Sequence, residues 1–298
     1  MTKKTKNVAL VLSSGGARGI AHIGVIEALE ENGYTISAIA GSSIGAVVGG
    51  MYAAGKLEVY KKWLLQLDKL EVFRLVDFTF STQGFIRGDK VFNEMKKFVE
   101  DIKIEELTIP FSAVASDIMN RKEVVFNSGS LFTALRASAA IPLVIKPSVY
   151  NNIELVDGAV MNPIPINHVI KKKGDLVVVS DVNAPIVYRK PQKYIAIEKP
   201  KQTGIFDQFL SKWEELVPQR IQASKSKSKE AKMSYFELLS KSVDLMQDQI
   251  STHTIEKHQP DILVSVSRET CATFAFYKAE EIIEAGKSAF KKALNSNK

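Results

Sequence analysis

Cysteine is nearly absent: Cys271 stands alone among 298 residues. That excludes an intrachain disulfide framework and any cysteine-based zinc cluster. No histidine lies close to it in sequence to polarise the thiol, so it reads as a small buried thiol. The scarcity also fits a reducing compartment. No apolar run approaches the roughly 18 residues that a membrane-spanning helix needs. A short basic start, Met1 to Lys6, precedes the apolar Val8–Leu12 and resembles an export leader. The apolar stretch falls short of the roughly 7–15 residues of a leader core and runs into Ser13-Ser-Gly-Gly-Ala-Arg-Gly19. A buried first strand in a cytoplasmic protein is the reading.

What is present is the composition of a folded protein, 45% hydrophobic and 24% charged. That content argues against wholesale disorder, and the length suffices for a sizeable core. The formal charge of +7 is unevenly placed. Segment 186–233 holds eleven Lys and Arg against five acids, so the rest of the chain is nearly neutral. Such a strip suits an anionic surface or a solvated loop.

Periodicity gives short apolar strands alternating with helices, the pattern of an α/β protein with a mainly parallel central sheet flanked by helices. Strands are expected at Val8–Leu12, Ile36–Ala40, Phe111–Ala115, Glu123–Phe126, Asp175–Ser180 and Ile262–Val266. Helices are expected at 20–31, from Gly45 to about 54, 58–69, 90–100, 130–140, 235–256 and 276–294. The stretch 70–88 reads as irregular and aromatic. No repeat or internal linker divides the chain, so residues 1–298 are expected to form a single domain. Its basic insertion spans about 186–233, and a helix–strand–helix, 235–298, closes it.

Gly41-Ser42-Ser43-Ile44-Gly45 is a G-x-S-x-G between an expected strand and helix, the setting in which this pattern carries a nucleophile. The turn is crowded, so Gly41 and Gly45 flank the serine. The Ser43 hydroxyl would project at a helix N-terminus, which favours developing negative charge. A second turn, Gly15-Gly16-Ala17-Arg18-Gly19, follows the first strand. It lacks the G-x-G-x-x-G of a dinucleotide site and the Gly-Lys-Ser/Thr of a Walker loop. Its backbone N–H groups suit an oxyanion hole, since both loops leave a parallel sheet at the same carboxyl edge. Arg18 either anchors that loop or meets a phosphate headgroup. A third element, Leu155-Val-Asp157-Gly158-Ala159, ends an apolar strand in an Asp-Gly turn and offers Asp157 as a general base.

These elements, in this order, resemble the patatin-like phospholipase family of serine acyl hydrolases, over roughly Val8 to Val182. Ala137-Ser-Ala-Ala-Ile-Pro142 and Asn162-Pro-Ile-Pro165 resemble the blocks around the family's aspartate. Ser14 stands where many members begin a glycine triplet, and Arg121-Lys122 follows Asp117 where members often have glycine. The resemblance implies a three-layer patatin-like fold and a Ser43–Asp157 dyad without histidine. It implies oxyanion donors in the Gly15, Gly16, Ala17, Arg18 loop and no metal or cofactor. The substrate would be a phospholipid, a lysophospholipid or another acyl ester. A carboxylate at its unperturbed pKa of about 3.9 is a weak base, so Asp157 is expected to be partly desolvated.

Other readings stay open. An acyltransferase or thioesterase would use the same acyl-Ser43, and a lipid-binding regulator would use the pocket without chemistry. A Ser-His-Asp triad is compatible with chain order, because His168, His253 and His258 follow Asp157. His22, beside the glycine loop, reads as a packed or capping residue. In the insertion, Ile205, Phe206, Phe209, Leu210, Trp213, Leu216 and Val217 form a helical stripe before Ser224-Lys-Ser-Lys-Ser-Lys229. Segment 205–229 is a candidate for contact with an anionic membrane, for a lid, or for a packed or oligomer surface. Nucleic acid is not expected, because no reading motif accompanies the charge.

Overall fold

The computed structural model describes residues 6–76, 78–81, 84–142, 144–190 and 235–296. In chain order these are β1 (Lys6–Leu12), α1 (Ala21–Glu31), β2 (Tyr34–Ser42), α2 (Ile44–Ala53), α3 (Leu57–Gln66) and α4 (Lys69–Leu75). Then come β3 (Phe78–Ser81), β4 (Gly84–Ile86), α5 (Asp89–Met95), β5 (Phe111–Asp117), β6 (Lys122–Phe126) and α6 (Leu131–Ser138). The rest are β7 (Ser148–Tyr150), β8 (Ile153–Asp157), β9 (Leu176–Ala184), α7 (Tyr235–His258), β10 (Ile262–Ser267) and α8 (Ala279–Ser296). The apolar stripe at 205–217 and most of the basic insertion lie outside the described residues.

The main sheet runs β10-β9-β1-β2-β5-β8-β7, with β6 also paired to β5. From β10 to β5 every pairing is parallel. Beyond that the sheet turns antiparallel, since β6 and β8 both pair with β5, and β7 with β8. Val8–Leu12 of β1 are fully buried, so both faces of the sheet are covered. Pleat alternation divides them. Val8, Leu10 and Leu12 join the main core with residues of α1, α2 and α8. Val11 and Val179 point the other way, against Ile164, Ile166 and Ile255 of α7. Helices therefore lie on both faces of a mainly parallel centre, the three-layer α/β arrangement.

The stretch 70–88, expected to be irregular, contains α4 and the small β3–β4 hairpin. The helix start was readable. Asp68 and Glu71 form a capping box, in which Asp68 Oδ1 accepts from the Glu71 N–H at 2.8 Å. Glu71 Oε2 accepts from the Asp68 N–H at 3.1 Å, so two helix-start donors are satisfied reciprocally.

Parallel pairing of β1 with β2 brings Leu12 opposite Gly41. The glycine turn and the serine turn therefore leave the sheet side by side, at the same edge.

Candidate active site

Strand β2 ends at Ser42 and α2 begins at Ile44, so Ser43 alone makes the corner. Its backbone sits at φ 56°, ψ −126°, outside the range of most non-glycine residues. Such a conformation costs about 1–3 kcal/mol and persists only where the surroundings impose it. Two contacts impose it here. The Ser43 N–H donates to Ser138 Oγ at 2.9 Å, and Ser138 Oγ in turn donates to the Val114 carbonyl at 2.6 Å. Gly41 and Gly45 face each other across the corner, and a Cβ on Gly45 would stand 2.3 Å from the Leu12 carbonyl oxygen. The tight turn therefore excludes a side chain there, as the sequence implied.

The Ser43 hydroxyl donates to Asp157 Oδ2 at 2.5 Å. Asp157 closes β8, and its N–H donates to the Ala140 carbonyl at 2.9 Å. Its Oδ1 accepts from the Ala159 N–H at 2.8 Å. Ser43 and Asp157 are only 4% and 3% exposed. Burial pushes the Asp157 carboxyl up to about 7, and the hydrogen bonds from Ser43 and Ala159 offset only part of that. Block 137–142 thus holds both partners: Ser138 takes the serine amide, and Ala140 takes the aspartate amide. Its residues were visible in the sequence, but this bracing role was not.

The glycine loop is tied to β9. Ser13 N–H donates to the Ser180 carbonyl at 3.1 Å, and Val182 N–H donates to Ser13 Oγ at 3.0 Å. Asn183 bridges the loop: its amide nitrogen donates to the Ser14 carbonyl at 2.7 Å, and its Oδ1 accepts from Arg18 Nε at 3.0 Å. Arg18 therefore anchors the loop. Ala17, one of the expected oxyanion donors, is already engaged, donating its N–H to the Thr273 carbonyl at 2.8 Å. Gly15 and Gly16 remain, and their N–H groups meet no acceptor among the described residues. Gly16 has φ 56°, and a Cβ there would lie 2.6 Å from the Thr273 carbonyl oxygen. Thr273 lies far along the chain in no recognisable motif, so nothing in the sequence marked it.

Two cavities meet at Ser43. One, of about 220 Å³, is walled by apolar side chains, among them Val47, Tyr60, Trp63, Phe73, Phe92 and Met95. The other, of about 380 Å³, has mixed walls: Asp157, Arg18, Asn183, Asp244, Asp248 and Arg268 stand among apolar residues such as Pro142 and Val243. Ser43, Gly16, Ile141, Val144, Thr273 and Phe274 line both. A hydroxyl at this junction faces a greasy slot on one side and a charged chamber on the other.

The four histidines line neither cavity. His22 is fully buried beneath the glycine loop, between the Ser13 carbonyl at 2.9 Å and Ser180 Oγ at 2.8 Å. A carbonyl only accepts, so Nε2 carries the proton and Nδ1 accepts from Ser180. Burial pushes this imidazole down to about 4. His168 pairs with Glu123, and His253 and His258 lie on α7. Cys271 is buried, and burial pushes its thiol up to about 11. Among the described residues, no group of His, Cys, Asp and Glu is placed to hold a metal ion. None of the described helices is long and apolar enough to cross a membrane.

Comparison with known proteins agrees with the motif order. The family model described as patatin-like phospholipase matches residues 10–170. An NTE family protein of Mycobacterium tuberculosis is 33% identical, over 97% of this chain and 91% of its own length. Lysophospholipase NTE1 of Kluyveromyces lactis is 31% identical over 63% of this chain, which corresponds to 13% of that protein. The solved structure of VipD from Legionella pneumophila aligns with 99% of this chain and 67% of its own, at 12% identity and a TM-score of 0.47.

Proposed function

The chain belongs to the patatin-like phospholipase family, and from that premise we propose that it hydrolyses lipid acyl esters through acylation of Ser43. One observation carries the reading: the Ser43 hydroxyl, bonded at 2.5 Å to a buried carboxyl, sits where an apolar slot meets a chamber of mixed walls that carries charged side chains. The acyl chain would fill the slot and the alcohol part of the ester would fill the chamber.

In this reading Asp157 Oδ2 takes the Ser43 proton as Oγ attacks the ester carbonyl carbon. Desolvation makes that carboxylate far more basic than an exposed one, so the transfer is closer to balanced near neutral pH. The Gly15 and Gly16 amides would meet the oxyanion of the tetrahedral intermediate, and the start of α2 adds its positive dipole end. As the intermediate collapses, Asp157 returns the proton to the departing alkoxide. A water, deprotonated by the same carboxylate, then attacks the acyl-Ser43 carbonyl. Collapse of that second intermediate releases the fatty acid and restores the serine. The relative named a lysophospholipase makes a lysophospholipid the first substrate to test.

The test is release of free fatty acid from a lysophospholipid by the purified chain, beside Ser43→Ala. Turnover by the natural sequence and none by the variant supports the proposal. Equal turnover by both, or none by well-folded natural protein in detergent micelles, overturns it.

A further inference from the structure

The apolar slot contains a buried polar group that the protein itself does not satisfy. Away from the junction with the chamber, two of its described wall residues carry a side-chain oxygen or nitrogen, Tyr60 and Trp63 of α3. Trp63 is partly exposed, and its ring stacks on that of Tyr60 with 5.8 Å between centroids. Tyr60 is only 2% exposed, and its hydroxyl makes no hydrogen bond to any described residue. Burial alone acts on that phenol and pushes its pKa above the usual range.

A tyrosine that merely fills a core shows a different pattern. Buried tyrosine hydroxyls find a partner as a rule, because an unpaired one forfeits its hydration. Tyr52, on the preceding helix, follows the rule: its hydroxyl donates to Glu30 Oε1 at 2.7 Å. Tyr188 follows it too, donating to Glu281 Oε1 at 2.9 Å. Nor is the Tyr60 hydroxyl sealed from open space, as the unpaired Ser14 and Ser42 hydroxyls are. It keeps a contact with open space, and the cavity that Tyr60 borders is the slot. The same slot is lined by Ser43, by Val47 one helical turn further along α2, and by Phe92 and Met95 of α5. An acyl chain held at Ser43 therefore enters the space that the phenol faces.

We propose that the slot selects acyl chains that carry an oxygen part-way along, a hydroxyl or a ketone, and that Tyr60 is the residue that determines this specificity. The inference rests on the hydrolase reading of Ser43 and deepens it by naming the acyl part of the substrate. The phenol donates to the chain oxygen. A plain hydrocarbon chain that fills the slot keeps solvent from the phenol and leaves it unpaired. A site with a hydrogen-bonding group built into it discriminates against the analogue that lacks the matching oxygen. The preference is also positional. An oxygen that comes to rest against Val47, Phe92 or Met95 meets only apolar side chains and loses its own hydration for nothing.

The experiment compares p-nitrophenyl esters of stearate, of hydroxystearates and of oxostearates, on the natural protein and Tyr60→Phe in one neutral detergent. The oxygen is placed near the carboxyl end, at mid-chain or near the methyl end. The readout is kcat/KM, with p-nitrophenyl butyrate, a short plain chain, run in parallel on the natural protein. At least one oxygenated position should exceed plain stearate by about tenfold, the scale of one satisfied buried hydrogen bond. Tyr60→Phe should cancel that preference and raise the turnover of plain stearate. The variant should also melt at or above the natural protein, because it loses a hydroxyl without a partner. No oxygenated chain above plain stearate, or the same preference in both proteins, overturns the inference. A lower melting temperature in Tyr60→Phe also overturns it, by marking a structural partner for the hydroxyl. In each of these cases butyrate turnover leaves the hydrolase reading standing. Absence of butyrate turnover by the natural protein overturns the hydrolase reading and this inference with it.

Discussion

Ser43 and Asp157 lie 114 residues apart in the chain and meet at 2.5 Å because the Ala137–Pro142 block holds both of their backbones. The hydroxyl and the carboxyl are therefore placed by one rigid segment, not by two independent loops. Most consequences of the account follow from that bracing and from the burial that accompanies it.

Asp157→Asn should abolish ester hydrolysis while stabilising the protein at alkaline pH. The folded-state carboxyl titrates near 7, above its unfolded value of 3.8. The proton it holds favours the fold below about 3.8, and that contribution disappears as the pH rises through about 7. At pH 8 the native protein therefore buries an unfavourable charge, and removing it should gain roughly 2–4 kcal/mol. Thermal melts of both proteins at pH 5 and pH 8 check this: the advantage of the variant should grow with pH.

The same carboxyl sets a pH profile for activity. The base must be ionised, so kcat/KM on a neutral ester should climb about tenfold per unit below about pH 7 and flatten above it. A limb near pH 4, where exposed carboxyls titrate, would contradict the desolvated base.

Ser138→Ala should lower both stability and turnover without touching substrate. It leaves the buried Ser43 N–H without its acceptor, a loss of about 1–3 kcal/mol. The corner at Ser43 would also relax, and kcat should fall by about 10–100-fold with KM little changed. Melting curves and steady-state kinetics on p-nitrophenyl butyrate separate the two effects.

His22→Gln should keep most activity yet blunt acid sensitivity. The buried imidazole titrates near 4 in the fold and near 6.5 when unfolded. Its contribution is present above about 6.5 and is lost as the pH falls toward 4, the opposite sign to that of Asp157 over the same window. Melts of the variant from pH 7 to pH 4 should decline less steeply than those of the natural protein.

Val47→Phe adds bulk to the apolar slot one helical turn beyond Ser43. Long-chain esters should lose at least about tenfold in kcat/KM through overpacking, while acetate esters lose little. A p-nitrophenyl ester series from acetate to palmitate reads this directly.

Much of this arrangement was legible in the sequence. Alternating apolar strands and helices gave the parallel centre of the sheet, and side-by-side exit of the two glycine-rich turns followed from that. The pentapeptide around Ser43 sat between a strand and a helix, as expected. Other features depend on tertiary contacts that no local pattern announces. The antiparallel end of the sheet, where Asp157 arrives on β8, looks like any short apolar strand. Ala17 was expected to donate to an oxyanion, but Thr273, from a loop near the end of the chain, takes its N–H. The wall that α7 gives the chamber, Ser240, Val243, Asp244, Gln247, Asp248 and Ser251, reads as a solvated surface until the chamber beneath it is seen.

The central claim is that Ser43 is an activated nucleophile, and reaction with a fluorophosphonate probe tests it most directly. The purified chain and its Ser43→Ala variant would be treated alike and read by intact mass and peptide mapping. The account predicts a single adduct on the Ser43 peptide of the natural protein and none on the variant. An adduct on another residue, or the same labelling of both proteins, would contradict it.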